Sequence, residues 1–195
     1  ESGQFGPTVD RDYEPGLQRN NAQDWWPRMV VLKIMQQYYM ATGDERVIPF
    51  MTRYFRYQLK ELPQKPLGNW TFWGQQRGGD NLQVVYWLYN ITGERFLLEL
   101  GNLIHRQSTN WTDYFLDGEI LTRQLSLHCV NLAQGFKEPT VYYQQSKDAK
   151  HLEAPQKAVR TIRNTIGLPT GLWGGDELLR FGEPTMGSEL CTAAE

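Results

Sequence analysis

The segment GSELCTAAE, Gly187 to Glu195, sets a carboxylate, Glu189, two residues before a thiol, Cys191, in a chain whose only other cysteine is Cys129. A thiolate is a nucleophile and a zinc ligand, and a carboxylic acid moves protons or ligates a cation. In extended backbone, residues two apart face the same way, so this pair would share one wall. A helix opening at Cys191 would further favour its thiolate. The glycine-rich stretch before it, GLPTGLWGGDELLRFGEPTM, adds Asp176, Glu177 and Glu183. Asp176 and Glu183 read as solvated loop acids.

Other stretches carry chemistry of their own. In LSLHCVNLAQG, His128, Cys129 and Asn131 stand inside an otherwise apolar run that reads as a helix. A buried His or Asn costs roughly 1–3 kcal/mol unless it is hydrogen-bonded, so the two together point either to a polar cavity or to a satisfied core pair. DWWPRM places Asp24, Trp25, Trp26 and Arg28 at a helix start, as a packed aromatic anchor or a sugar-stacking surface. NWTFWGQQRGGDNL puts Trp70, Trp73, Arg77, Asp80 and Asn81 in a glycine-broken loop, where Asp80 is an N-cap or a ligand contact. Three Asn-x-Thr sequons, at Asn69, Asn90 and Asn110, carry no weight without a source that glycosylates.

These residues need a frame, and the chain repeats one. QQYYMATGDERVIPF holds Tyr39, Thr42, Gly43 and Asp44; 50 residues on, YWLYNITGERFLLEL holds Tyr89, Thr92, Gly93 and Glu94 at the same spacing. A weaker copy, VYYQQSKDAKHL, has Tyr143, Ser146 and Asp148. Each copy reads as a helix closed by a left-handed residue, with an acid opening the next helix. Apolar residues at helical spacing flank the turns: Val30, Val31, Ile34, Met35 and Tyr38; Leu82, Val85, Leu88 and Tyr89; Leu97, Leu98, Leu100 and Ile104. Pro27 fits the first turn of a helix running to about Met40, with Asp24 near its N-cap. GEILTRQL is the best short strand candidate. A period near fifty with two helices per unit predicts an all-α array of helical hairpins, and a closed (α/α)6 toroid at that period needs about 300 residues. Residues 1–195 are therefore expected to be part of one such catalytic barrel, truncated within the helix that CTAAE begins.

Composition narrows the function. Twenty basic residues against twenty-two acidic ones give a net charge of −2 with no charged tail, which argues against nucleic acid and anionic membrane as partners. No apolar run approaches the roughly 18 residues that span a bilayer. The start, ESGQFGPTVD, is not a signal peptide; a protein whose leader has been removed would be periplasmic or secreted, and otherwise cytoplasmic. The sequence leaves a homodimer open. Aromatic residues make up 13%, seven of them Trp, which suits sugar stacking and a large helical core equally.

The GxELCxxxE motif after a GDE loop, the HxVN motif and the repeated YxxTGD hairpins resemble glycoside hydrolase family 127, the β-L-arabinofuranosidases and their relatives, from about Asp24 to Glu195. The resemblance implies an (α/α)6 toroid and a retaining zinc thiolate glycosidase acting on L-arabinofuranosides or related plant or glycan sugars. It implies Cys191 as nucleophile and Glu189 as acid/base, with Glu177 and Cys191 as zinc ligands and two further zinc cysteines downstream. It implies His128 as a substrate contact, and Trp25, Trp26, Trp73, Arg77, Asp80, Asn81 and Asn131 are the further candidates for binding the oligosaccharide or glycoside. Asp80 and Asn81 stand where the family has a Gly-His pair. Two other readings fit the same residues: a carbohydrate-binding toroid using Trp25, Trp73 and Trp173 without turnover, and an inverting hydrolase using Asp80 with Glu189.

Overall fold

The repeated turns close as their chemistry requires. In a computed structural model, which describes residues 2–9, 21–69, 72–118, 127–173, 177–179, 185 and 187–195, Gly43 and Gly93 both adopt φ +68° and return their N–H to Tyr39 and Tyr89. Lys147 does the same for Tyr143 at φ +57°, the one left-handed position among the described residues that is not glycine. The hydroxyls of Thr42, Thr92 and Ser146 each accept the N–H of the following acid, Asp44, Glu94 or Asp148, at 3.2–3.3 Å. Asp44 and Asp148 then accept the N–H two residues on, so these acids cap the next helix from inside the turn.

The chain divides into two compact units, Glu1–Thr109 and Asn110–Glu195. In the first, α1 (Trp26–Thr42) and α2 (Val47–Glu61) form one hairpin. A short α3 (Phe72–Gln76) leads into a second, α4 (Gly78–Thr92) and α5 (Phe96–Gln107). Helix α4 packs on α1, α2 and α5. Its core includes Met29, Leu32, Met51, Tyr54, Phe55, Leu82, Val85, Leu88, Leu97, Leu100 and Ile104. On α1 the buried face is not the expected one. Met29, Leu32 and Gln36 point inward, and Val30 and Ile34 are 45% and 54% exposed. Both stripes have helical spacing, and the packing of α1 against α2 and α4 decides between them.

The second unit holds α6 (Trp111–Asp117), α7 (Cys129–Gly135), α8 (Lys137–Ser146), α9 (Lys150–Thr165) and the five-residue α10 (Leu190–Ala194). Helices α7 and α8 are the third copy's first helix, broken at Phe136. Pro139 has no N–H to offer Gly135, so the α-helical ladder stops there. Gly135 also lets α7 approach Trp111; a Cβ there would lie 2.6 Å from the indole. The core gathers Trp111, Phe115, Cys129, Leu132, Ala154, Ala158, Ile162 and Leu179. The first helices of the three copies begin at Trp26, Gly78 and Cys129, so the fifty-residue period of the sequence is the period of the hairpins. The fold class is the all-α class of helical hairpins expected of an (α/α)6 toroid, and no strand occurs among the described residues. The strand candidate GEILTRQL lies, beyond Gly118, outside the described residues.

Candidate active site

The site in the second unit is built by a single antiparallel bridge. Cys129 N–H donates to the Glu177 carbonyl (3.0 Å) and Leu179 N–H to the Leu127 carbonyl (3.1 Å), which sets His128 against Leu178. His128 is not inside a helix. It is the extended N-cap of α7, because the bridge holds its backbone straight and its Nδ1 accepts the Asn131 N–H (3.4 Å). With Nδ1 used as an acceptor, a neutral imidazole carries its proton on Nε2, which faces Glu177 Oε2 at 2.9 Å.

Glu189 completes the group. It is the extended N-cap of α10, and donor atoms of His128, Glu177 and Glu189 all lie within 4.8 Å of one another. The two acids differ in setting. The Glu177 side chain is 73% exposed, whereas Glu189 Oε2 is buried with no hydrogen-bond partner among the described residues. A buried carboxylate oxygen without a donor is costly, and a cation would satisfy it. Imidazole and carboxylates are ligands that zinc accepts, so the three side chains could hold a metal ion. The Cys191 sulfur is not in that group. The extended backbone ends at Glu189, and Cys191 is the second residue of α10, so the alternation that would place both side chains on one wall does not operate. Cys191 is exposed, and Cys129 is fully buried in the core.

The remaining candidates are sorted by burial. Asn131 is fully buried and holds His128 through its backbone, so it is not placed to touch a sugar. Asn81 is also fully buried, and its amide exchanges two 3.1 Å hydrogen bonds with Gln58; its expected substrate contact gives way to a bridge between α2 and α4. Trp25 is buried with its Nε1–H on the Lys65 carbonyl (2.9 Å), which makes it a packed anchor and not a stacking surface. Arg28 donates to the carbonyls of Phe5, Pro7, Ala22 and Asp24, tying the N-terminal segment to α1. Asp24 Oδ1 accepts the Trp26 N–H (3.0 Å), one position before Trp25, the N-cap of α1.

Trp26, Trp73 and Arg77 do come together. The guanidinium of Arg77 lies 4.4 Å from each indole centroid, against two half-buried rings whose own centroids are 6.3 Å apart. Asp80 is in the first turn of α4, half-buried, with its N–H on the Arg77 carbonyl (3.1 Å). Trp173, in the second unit, is half-buried against Phe136, at 5.9 Å between ring centroids. Trp70, Asp176 and Glu183 lie outside the described residues. Sequence reasoning missed a contact of its own motif. Glu195, its last residue, accepts from Gln134 Nε2 (3.1 Å) and pairs with Lys137 Nζ (2.5 Å).

All-α hairpins carry a histidine and two glutamates that could share a cation, with a cysteine two residues beyond one of them. Residues 7–192 match the family described as beta-L-arabinofuranosidase, GH127 catalytic domain, and the chain belongs to that family of glycoside hydrolases. No curated protein and no solved structure matches the chain. The family makes a carbohydrate the substrate class, and no described helix is long and apolar enough to cross a membrane.

Proposed function

We propose that the chain is a retaining glycosidase of L-arabinofuranosides or related plant or glycan sugars, with Cys191 as nucleophile and a zinc ion held by Glu189 and Cys191. The buried oxygen of Glu189, without a hydrogen-bond partner among the described residues and at the head of the helix that carries Cys191, is the observation that carries this reading. Zinc, when bound, would keep the thiol as thiolate at neutral pH. The geometry favours exchanging the two glutamates relative to the sequence expectation. Glu189, half-buried with one oxygen buried and without a hydrogen bond among the described residues, has the character of a fixed ligand. Glu177, exposed and oriented by His128, has the access that a general acid needs.

The steps then balance on this chain's own atoms. The Cys191 sulfur attacks the anomeric carbon as the glycosidic C–O bond breaks, and Glu177 gives its proton to the leaving oxygen. Water then attacks the same carbon, Glu177 takes its proton, and the C–S bond breaks to return the thiolate. Two displacements at one carbon retain its configuration. His128 Nε2–H holds Glu177 through both steps without itself reacting. Within the first unit, the half-buried Trp26, Trp73 and Asp80 are proposed as a sugar-binding surface of their own, with Arg77 against both indoles.

The carboxylate assignment is tested on an aryl arabinofuranoside with a good leaving group against an alkyl arabinofuranoside with a poor one. Glu177→Gln should lower kcat/KM on the alkyl substrate by 10²-fold or more and on the aryl substrate much less. Glu189→Gln should lower both alike and reduce bound zinc. The opposite pattern restores Glu189 as the acid/base and Glu177 as the ligand.

A further inference from the structure

Helices α7 and α10 are joined at both ends. At one end are their N-caps, His128 and Glu189, within one metal-competent group. Six residues further along each chain, Gln134 meets Glu195: Gln134 Nε2 donates to Glu195 Oε1 at 3.1 Å, and Lys137 Nζ reaches Glu195 Oε2 at 2.5 Å. Equal six-residue steps from cap to clamp mean that the two segments run side by side in the same direction, with about 9 Å between the two ties at 1.5 Å per helical residue. Thr192, three residues before Glu195 and so on the same face of α10, is buried. Gln134 is buried as well, so the clamp has a low-dielectric side on which a charge-assisted bond holds firmly.

The clamp ties the helix that carries Cys191 to α7. We infer that Glu195, gripped by Lys137 and Gln134, is a positioning residue: it fixes the rotation and height of α10 on α7, and so sets Glu189 against His128 and Glu177. The last glutamate of the GxELCxxxE motif touches no reacting atom; its work is done six residues away. This inference rests on the proposed zinc and thiolate reading for its functional readout, and on the clamp geometry alone for its structural one.

The test uses the whole chain with Glu195→Ala, Lys137→Met and Lys137→Arg, read in two ways. Zinc affinity is measured by equilibrium competition with a chromogenic chelator. Amide hydrogen exchange is measured on the metal-free protein at Thr192, Ala193 and Glu195, whose N–H groups bond to the Glu189 and Cys191 carbonyls. Glu195→Ala and Lys137→Met should each weaken zinc binding 10- to 100-fold, the range for residues that orient ligands, and should speed exchange at those amides several-fold. Lys137→Arg should restore both to near wild type. Zinc affinity unchanged in the two disruptive variants, with the wild type binding zinc, overturns the positioning role even if exchange is faster. If the wild type binds no zinc, the zinc reading of the site fails by itself and exchange decides: faster exchange keeps the clamp, and unchanged exchange overturns it.

Discussion

Replacing Glu189 by glutamine should change protein stability in opposite directions with and without zinc. Without metal, Glu189 faces two penalties. One of its oxygens is buried with no donor among the described residues, which costs about 1–3 kcal/mol. Its carboxylate also lies within 4.8 Å of that of Glu177. Two unit charges at that separation repel by about 3.5 kcal/mol at an effective dielectric constant of about 20. The Glu177 side chain is 73% exposed, so water reduces that repulsion to a fraction, and the His128 contact at 2.9 Å offsets part of the rest. Glu189→Gln removes the charge and lets the new amide donate to Glu177. A net gain of about 1–2 kcal/mol follows, which is a rise of about 2–8 °C in Tm for a chain of this size. With zinc at 100 times its dissociation constant the wild type gains about 2.7 kcal/mol, and the variant, lacking the ligand, gains little, so the order inverts. Thermal unfolding followed by circular dichroism, once in chelator and once in zinc, reads both signs. A variant less stable than wild type in chelator, or one that gains as much as wild type from zinc, refutes the reasoning.

Three further outcomes follow from the same geometry. Lys147→Gly, which places glycine where the first two copies of the turn have it, should stabilise the protein by about 0.5–1 kcal/mol in urea unfolding, because the strain of a side chain at φ +57° outweighs the entropy of glycine. Asn81→Ala should cost about 1–3 kcal/mol by stranding the buried Gln58 amide and should leave KM unchanged; a rise in KM with stability intact would return Asn81 to the substrate site. The Arg46 side chain and N–H hold the Asp44 carboxyl well below the usual carboxylate range, so its contribution to stability is present above about pH 4 and is lost as the pH falls through its folded value. Asp44→Asn should therefore flatten the acid limb of a stability–pH curve, and a curve that keeps the wild-type slope contradicts this.

The hairpins were legible because their turns are local chemistry. Within four residues of sequence, a Thr or Ser hydroxyl, a left-handed residue and an acid satisfy each other's backbone groups, and the pattern survives even where lysine replaces glycine. The side of α1 that packs was not legible, since Met29 and Val30 belong to equally periodic stripes and the tertiary packing against α2 and α4 distinguishes them. Asn81 and Trp25 looked like ligand contacts because their partners, Gln58 and the Lys65 carbonyl, are 23 and 40 residues away. The site was legible in its residue types and not in its pairings. His128 meets Glu177 across 49 residues through two backbone hydrogen bonds at an isolated bridge, a contact that no spacing announces. The hold of Lys137 and Gln134 on Glu195 is hidden in the same way, although the motif already contained one of its ends.

The claim that Cys191 forms the covalent intermediate is tested most directly by rapid quench of the protein turning over an aryl β-L-arabinofuranoside, followed by peptide mass mapping. The account predicts one pentosyl addition on the peptide containing Cys191, absent from the peptide containing the buried Cys129 and lost in Cys191→Ser together with turnover. Turnover that persists in Cys191→Ser, or no adduct with an inverted first product, would contradict it.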